Sequence, residues 1–443
     1  MNKNCQKILQ NKGRCDILSN KCKKKQTEGN MAKIAVLGYG IVGSGTVEVF
    51  YRNKEKIKSL YGCDTDIKYI LDLRDFPDSD YAGKFTKNYE EILDDDEVTI
   101  VVEAMGGLHP SYEYVRAALE AGKSAVTSNK ELVACKGAEL LALAKEKNVN
   151  FLFEASVGGG IPIIAPLHSC LAANKITEVA GILNGTTNFI LTKMFCENMK
   201  FDDALKMAQE LGYAERDPSA DVDGIDACRK ICILASLAFG KHVYPESVKV
   251  RGIREITQED VNYAASWGGK IKLLGWSKCT DDNKVMITVC PSFVADTSQL
   301  ASISDVFNGV LVRGDATDDV VFYGKGAGKY PTASAMVADV IDVLGLNGTA
   351  KTLTWQDSEQ DFIVSADEAE LSKYVRIISD NKNILDEIKD VFGEVTMLLR
   401  ENKPENEFAF VTSVMKSKDI DKKLESLKKC GADIITSICV MDY

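Results

Sequence analysis

Asp226 and Lys230 stand one helical turn apart in the segment Leu211-Gly212-Tyr213-Ala214-Glu215-Arg216-Asp217-Pro218-Ser219-Ala220-Asp221-Val222-Asp223-Gly224-Ile225-Asp226-Ala227-Cys228-Arg229-Lys230. Residues four apart on a helix share a face, so this carboxylate and this ammonium can meet. One reading is a surface ion pair worth roughly a few tenths of a kcal/mol. A second reading follows from the next residues, Ile231-Cys232-Ile233-Leu234-Ala235, which are apolar on nearly every side. Lys230 then borders a buried region, and burial lowers a lysine pKa toward working pH. Such a lysine can exchange a proton with an alkoxide. Composition and spacing leave both readings open.

A second constellation lies near the start of the chain. Gly38-Tyr39-Gly40-Ile41-Val42-Gly43 follows the short apolar strand Lys33-Ile34-Ala35-Val36-Leu37 and opens a helical stretch to about Ser59. Glycines in this context let the backbone approach a pyrophosphate, and the helix start supplies N–H donors and the positive end of a dipole. The loop therefore predicts dinucleotide binding, against the alternative of a plain structural turn. At the end of the second strand an acidic residue would bind the ribose hydroxyls of NAD, and an arginine the 2′-phosphate of NADP. Asp72, Arg74 and Asp75 stand there together, so the choice between the two cofactors stays open.

The elements that must position these residues are legible in outline. Asp66 to Leu73, Thr99 to Glu103, Ser124 to Thr127 and Phe151 to Phe153 read as further strands, with helices over Pro110 to Ala121 and Leu132 to Lys147. This alternation predicts a doubly wound parallel sheet with helices on both faces, a Rossmann-type α/β domain over 31–160. After that the pattern changes. Helices are expected over Ile163–Leu171, Phe189–Glu197, Phe201–Leu211 and Gly224–Phe239, and strands at Met286–Val289 and Gly309–Val312. Residues 161–324 are expected as an α+β domain for substrate binding, catalysis and dimerisation. A helix over Thr332–Leu344 should return to the first domain, adding about 325–350 to it. Residues 351–370 suit a linker. From 371 to 443 the order strand, helix, strand, strand, helix, strand predicts a ferredoxin-like βαββαβ unit.

Bulk properties exclude several classes. The formal charge of −11 over 443 residues argues against a general nucleic-acid binder. No apolar run reaches the length of a membrane span. Residues 1–30 are basic and polar, lack the apolar core of a secretory signal, and read as a disordered extension or an upstream start ahead of Met31. Of the 13 cysteines none forms a C-x-x-C pair, and Cys170, Cys290 and Cys439 sit singly in apolar stretches. Free cysteine packs as a small hydrophobe, so a reduced, cytoplasmic setting is expected. His109, His168 and His242 make no ligand spacing, which argues against zinc.

The segment from Leu211 to Lys230 resembles the signature of homoserine dehydrogenases. Further pieces fall in that family's order: Val126-Thr127-Ser128-Asn129-Lys130 ahead of Leu132-Val133-Ala134, Glu154-Ala155-Ser156-Val157-Gly158-Gly159-Gly160-Ile161-Pro162, Gly181-Ile182-Leu183-Asn184-Gly185-Thr186-Thr187-Asn188, and Gly324-Lys325-Gly326-Ala327-Gly328 before Pro331-Thr332-Ala333. Together they cover nearly all of 31–345. The resemblance implies reversible NAD(P)-dependent reduction of aspartate 4-semialdehyde to homoserine, in threonine, methionine and isoleucine biosynthesis. It implies Lys230 as proton donor and acceptor, Asp226 as its charge partner, and Lys130 beside both nicotinamide and substrate. Glu215 and Asp221 would bind the substrate ammonium, Gly185 and Thr186 its carboxylate, with Tyr213 in the same site. Gly38, Gly40, Ile41, Val42, Gly43, Arg74, Gly212, Gly326 and Gly328 would meet the cofactor. Backbone oxygens of Glu154, Val157, Gly159 and Ile161 would hold a structural sodium ion. The length leaves no room for a fused aspartate kinase, and a homodimer or tetramer is implied.

The C-terminal unit resembles an ACT domain, which implies feedback by threonine. The family's turn reads D-x-P-G-V-L, whereas this chain has Asp380-Asn381-Lys382-Asn383-Ile384-Leu385. Asn383 is expected to supply the left-handed residue in place of glycine, and a purely structural role for the unit is the alternative. Two rival readings make different demands on the chain. Aspartate semialdehyde dehydrogenase chemistry needs a cysteine nucleophile paired with a histidine, which this chain lacks. A non-catalytic nucleotide and amino-acid sensor would not need Asp226, Lys230 and Lys130 together.

Overall fold

The computed structural model describes residues 32–61, 64–346, 349–350, 353, 355–358 and 362–441. The expected extension over 1–30 lies outside the described residues. The N-terminal part runs β1 (Lys33–Leu37), α1 (Ile41–Tyr61), β2 (Asp66–Leu71), β3 (Phe85–Thr86), α2 (Glu90–Leu93), β4 (Val98–Glu103), α3 (Ser111–Glu120), β5 (Ser124–Thr127), α4 (Lys130–Lys147) and β6 (Phe151–Leu152). Its six strands are all parallel in the order β3-β2-β1-β4-β5-β6. The strand order reverses between β1 and β4, the place where such sheets open a ligand crevice at the carboxyl ends of their strands. Sequence reading missed β3, which is only two residues long, and ran β2 on to Leu73, which is in fact solvent-exposed.

The second part contains β7 (Ile176–Ile182), α5 (Gly185–Glu197), α6 (Phe201–Glu210), α7 (Ser219–Val222), α8 (Ile225–Phe239), β8 (Lys249–Val250), α9 (Gln258–Trp267), β9 (Gly269–Cys279), β10 (Val285–Ala295), β11 (Phe307–Gly314), β12 (Asp318–Lys325) and α10 (Lys329–Gly345). The antiparallel order β12-β11-β7-β9-β10 carries α5, α8 and α9 against it. Helix α10 returns to pack on α1, as its small apolar residues predict. Four strands here, β7, β8, β9 and β12, have no counterpart in the sequence pattern. Strands β7 and β9 carry buried charged residues, Glu178 and Lys272, that break the expected alternation, β8 is only two residues long, and β12 buries none of its residues. The helix expected over Ile163–Leu171 is mostly a π-helical turn over Pro166–Cys170. Cys170, read as a packed thiol, is exposed there.

The last part runs β13 (Ile363–Val364), β14 (Glu370–Ile378), α11 (Ile384–Phe392), β15 (Val395–Leu398), β16 (Glu407–Thr412), β17 (Met415–Lys416), α12 (Ser417–Lys429) and β18 (Asp433–Met441). The order β18-β14-β16-β15 is that of a ferredoxin-like sheet. It is not a separate sheet, because β18 pairs in parallel with β10, placing Cys439 opposite Ser292. The stretch read as a linker also packs. Trp355 and Phe362 are buried, Trp355 donates its indole N–H to His242 Nδ1 at 2.8 Å, and β13 pairs with β10. Two isolated aromatics in a polar stretch leave no periodic signal, so composition alone reads it as solvated. Asn383 has φ −98°, not the expected left-handed value. Asn381 shapes the turn instead, accepting from the Asn383 amide at 3.0 Å and donating to the Cys430 carbonyl at 2.9 Å.

Candidate active site

The glycine loop is built as the pattern requires. Gly38 takes φ +89°, and a Cβ on Gly43 would lie 1.8 Å from the Gly38 carbonyl oxygen. Only glycine tolerates both demands. A Cβ on Gly40, by contrast, would meet nothing within 4 Å, so this backbone faces open space at the start of α1. Ile41 beside it is exposed although apolar. The loop thus presents a cradle of amides that fits a pyrophosphate. At the end of β2, Asp72 accepts the Tyr39 amide at 2.8 Å and two hydrogen bonds from the Arg74 guanidinium. Arg74 beside the buried Asp72 holds that carboxyl below the usual range. Asp75 pairs with Lys87 at 2.7 Å.

The carboxyl end of β5 leads directly into α4. Asn129 caps that helix by accepting the Leu132 amide at 3.1 Å, which makes Lys130 its first residue. The lysine expected ahead of the helix is therefore held at its N-terminus. Its Nζ lies 2.6 Å from Asp226 Oδ1. Asp226 belongs to the first turn of α8, and its other oxygen takes Lys230 Nζ at 2.8 Å. Lys230 also donates to the Leu183 carbonyl at 2.8 Å. One carboxylate thus bridges lysines from two parts of the chain, and Arg229 with Glu131 at 2.7 Å ties the same two helices beside it.

Asn184 completes the cluster. Its carbonyl oxygen caps α5 through the Thr187 amide at 2.9 Å, and its amide donates to Asp221 at 2.6 Å and to Asp226 at 2.9 Å. Asn184 has no role in the sequence analysis, since a helix expected only from Phe189 hides its capping position. The usable signal was Asn followed by Gly-Thr-Thr, a helix-start pattern. Thr186 donates to the Tyr213 carbonyl at 2.7 Å, which fastens the 211–217 loop to the start of α5.

Charge sets the chemistry. Burial pushes the Lys230 ammonium below its ordinary pKa; Asp226 opposes that push and Lys130 adds to it. Burial also acts downward on Lys130, but the attraction of Asp226 outweighs it and its pKa rises. Asp226 itself is raised by burial and pulled well below the carboxylate range by the two ammonium groups. Asp221 is raised by burial and by the charge of Asp226. An ammonium has three donors, and among the described residues two acceptors hold Lys230. One donor remains for an oxygen that gains negative charge.

The structure thus brings together Lys230, Asp226, Lys130, Asp221, Thr186 and Gly185, with the Tyr213 backbone. Glu215 stands exposed on the 211–217 loop, where its carbonyl takes the Gln209 side chain at 3.1 Å. Gly212 is also exposed, at the end of α6. Gly326 and Gly328 precede α10, and a Cβ on Gly159 would lie 2.4 Å from the Gly326 carbonyl oxygen, so the two late glycine loops touch. Gly160 donates to the Lys325 carbonyl at 3.0 Å in the same contact. The Glu154 carboxylate is committed to the amides of Ile163, Ile164 and Ala165 at 2.6, 2.9 and 2.7 Å, so any role at a cation falls to its backbone oxygen. Among the described residues no group of three His, Cys, Asp or Glu could hold a metal ion.

A dinucleotide cradle and a buried lysine on a carboxylate in one chain are the equipment of a nicotinamide-dependent oxidoreductase. The comparisons make this specific. Residues 162–341 match the family model described as homoserine dehydrogenase, and residues 38–154 match that of the homoserine dehydrogenase NAD-binding domain. The chain is 39% identical to the homoserine dehydrogenase of Bacillus subtilis over 82% of its own length and 85% of that protein. It is 44% identical to that of Synechocystis over 71% and 73% of the two chains. The crystal structure of a homoserine dehydrogenase from Thiobacillus denitrificans superposes with a TM-score of 0.84 at 34% identity, covering 93% of this chain and 98% of that one. A hyperthermophilic archaeal homoserine dehydrogenase in complex with NADPH gives 0.61 at 29% identity, over 71% and 97%. The chain belongs to the homoserine dehydrogenase family. It is an NAD(P)-dependent oxidoreductase interconverting aspartate 4-semialdehyde and homoserine.

Proposed function

We propose that Lys230 is the proton donor and acceptor of this reaction, oriented by Asp226, with Lys130 beside the reacting centre. The observation that carries this reading is the Asp226 carboxylate bridging Lys230 at 2.8 Å and Lys130 at 2.6 Å. When bound, the nicotinamide supplies the hydride that adds to the aldehyde carbon of the semialdehyde. Lys230 offers its free N–H to the carbonyl oxygen, stabilises the charge that develops there and delivers the proton. In the reverse direction the neutral amine takes the hydroxyl proton of homoserine. Asp221 and Glu215 bind the substrate ammonium, and the amides of Gly185 and Thr186 at the start of α5 receive its carboxylate. Tyr213 closes the same site. Gly38, Gly40, Ile41, Val42, Gly43, Gly212, Gly326 and Gly328 surround the cofactor, and the exposed guanidinium of Arg74 favours NADP. Arg74→Ala should raise the KM for NADP about tenfold and that for NAD less, since a charged group at the 2′-phosphate acts on one cofactor only.

The test is homoserine-dependent reduction of NADP and NAD, followed at 340 nm, with Lys230→Ala alongside. Turnover should fall by about 10²–10⁴-fold with cofactor binding intact. Equal turnover in the variant would remove Lys230 from the mechanism.

Four finer assignments accompany this reading. The backbone oxygens of Glu154, Val157, Gly159 and Ile161 are sodium ligands, supported by their crowding into one tight glycine-rich turn. The C-terminal unit is an ACT-like module, supported by its strand order. Threonine at millimolar levels should then change rate or melting temperature, and no change in either would leave the unit a structural role. The assembly is a homodimer or tetramer, supported by β12, an eight-residue edge strand with Tyr323 exposed. The compartment is the cytoplasm, supported by the free thiols of every described cysteine.

A further inference from the structure

A second buried lysine lies outside the cluster just described. Lys272 of β9 is 2% exposed. Its Nζ donates to Asn188 Oδ1 at 3.0 Å and to the Ile303 carbonyl. No carboxylate touches it among the described contacts. Its charged or ionisable neighbours are Lys270 on its own strand, Asp305 on the facing loop and Cys196 on α5. Burial and the charge of Lys270 bring its pKa down to about 7. A neutral amine still has two N–H donors, which matches the two acceptors it holds.

One of those acceptors, Ile303, opens a loop that the other, Asn188 of α5, holds in place. Asn188 donates its side-chain amide to the carbonyls of Ile303, Asp305 and Phe307 at 3.3, 3.0 and 3.0 Å. The Thr192 hydroxyl donates to the Asn188 carbonyl at 2.7 Å and accepts the Asp305 amide at 3.0 Å. Immediately beyond these anchors the loop meets both ligand-facing glycines. A Cβ on Gly185 would come within 2.9 Å of the Val306 carbonyl oxygen, and one on Gly326 within 2.0 Å of Asn308 Nδ2. Asn308 is itself buried. The 303–308 segment therefore spans from the start of α5 to the late glycine loop, and one buried amine fixes its near end.

We propose that Lys272 is a positioning residue that sets, through Asn188 and the Ile303–Asn308 loop, the placement of Gly185 toward the substrate and of Gly326 toward the cofactor. The proposal rests on the reading that these two glycines face substrate and cofactor. Nothing in it requires Lys272 to touch either ligand. Its signature is a split between binding and turnover, with both KM values moving together because one loop carries both contacts.

The experiment uses the full-length protein in the homoserine oxidation assay. Lys272→Met is one atom shorter and keeps the unbranched apolar stem but removes the N–H donors, so KM for homoserine and for the cofactor should each rise about tenfold with kcat within about threefold of wild type. Lys272→Gln has the same length as the Met variant, keeps N–H donors and should fall between it and wild type. If the Met variant is not recovered folded, the Gln variant decides alone: a rise in both KM values supports the proposal, and unchanged values overturn it. Unchanged KM in either folded variant, or activity lost only in proportion to folded protein, overturns it as well. Thr186→Val and Gly326→Ala are run in parallel. If these shift KM while the Lys272 variants do not, the positioning role fails and the placement of the ligands stands; if these too leave KM unchanged, the placement itself fails.

Discussion

Lys230 and Lys272 are both buried and both hydrogen-bonded to a main-chain carbonyl, and each is tied to α5, Lys230 through Asp226 by the capping Asn184 and Lys272 directly by Asn188 one turn further on. They differ in one partner. Lys230 has a carboxylate, Asp226, which it shares with Lys130. Lys272 has only neutral acceptors. A buried ammonium on a carboxylate keeps a charge that can act on a substrate oxygen, whereas a buried amine among carbonyls serves as a fixed donor. The same residue type thus does chemistry in one place and holds backbone in another.

The comparison is broken hardest at Asp226. Asp226→Asn keeps the shape but leaves Lys230 without its counter-charge. We expect kcat to fall by about 10³-fold, and denaturant unfolding to show a loss of about 3 kcal/mol, the cost of stranding a buried charge. The pH profile carries a sign. Homoserine oxidation needs neutral Lys230, so its rate rises with pH, with a midpoint below the ordinary lysine value of 10.5 because burial lowers this pKa. Asp226 raises that pKa, so in Asp226→Asn the residual rate should rise at lower pH than in wild type. A midpoint that stays in place or moves up would mean that Asp226 does not govern Lys230.

Lys130→Met sharpens the same contrast with a smaller effect and the opposite sign. The charge of Lys130 depresses the Lys230 pKa, so its removal should shift the oxidation profile to higher pH, with kcat/KM reduced by about tenfold. The two asparagines offer the mildest test. Asn184→Ala removes a helix cap and should cost about 1 kcal/mol in thermal or urea unfolding, together with a loss in kcat, since Asp226 loses a hydrogen bond. Asn188→Ala should leave kcat nearly unchanged and raise KM instead. Identical kinetic signatures from the two would erase the distinction drawn between the two lysines.

The sequence carried the local half of this protein. The glycine loop after β1, the face shared by Asp226 and Lys230, and the small-residue helix that became α10 all depend on residues close in the chain, where helical and strand periodicity acts directly. The ferredoxin-like order of the last unit was legible for the same reason. The missed features are those in which periodicity is interrupted or never established. Strands β7 and β9 hide buried polar residues, β3 is two residues long, and Trp355 and Phe362 stand isolated in a polar stretch.

What the sequence by itself determined, then, is where the strongly periodic elements form and which side chains lie on one face of each. Only the tertiary structure decided that Lys130, at the start of α4, meets Asp226 of α8, that β18 joins β10 to make one sheet of two units, and that Lys272 ends among carbonyls, not carboxylates. These pairings join residues far apart in the chain. They are set by how helices and sheets dock to bury apolar surface and satisfy polar groups, a condition on the whole fold that no short stretch of sequence contains.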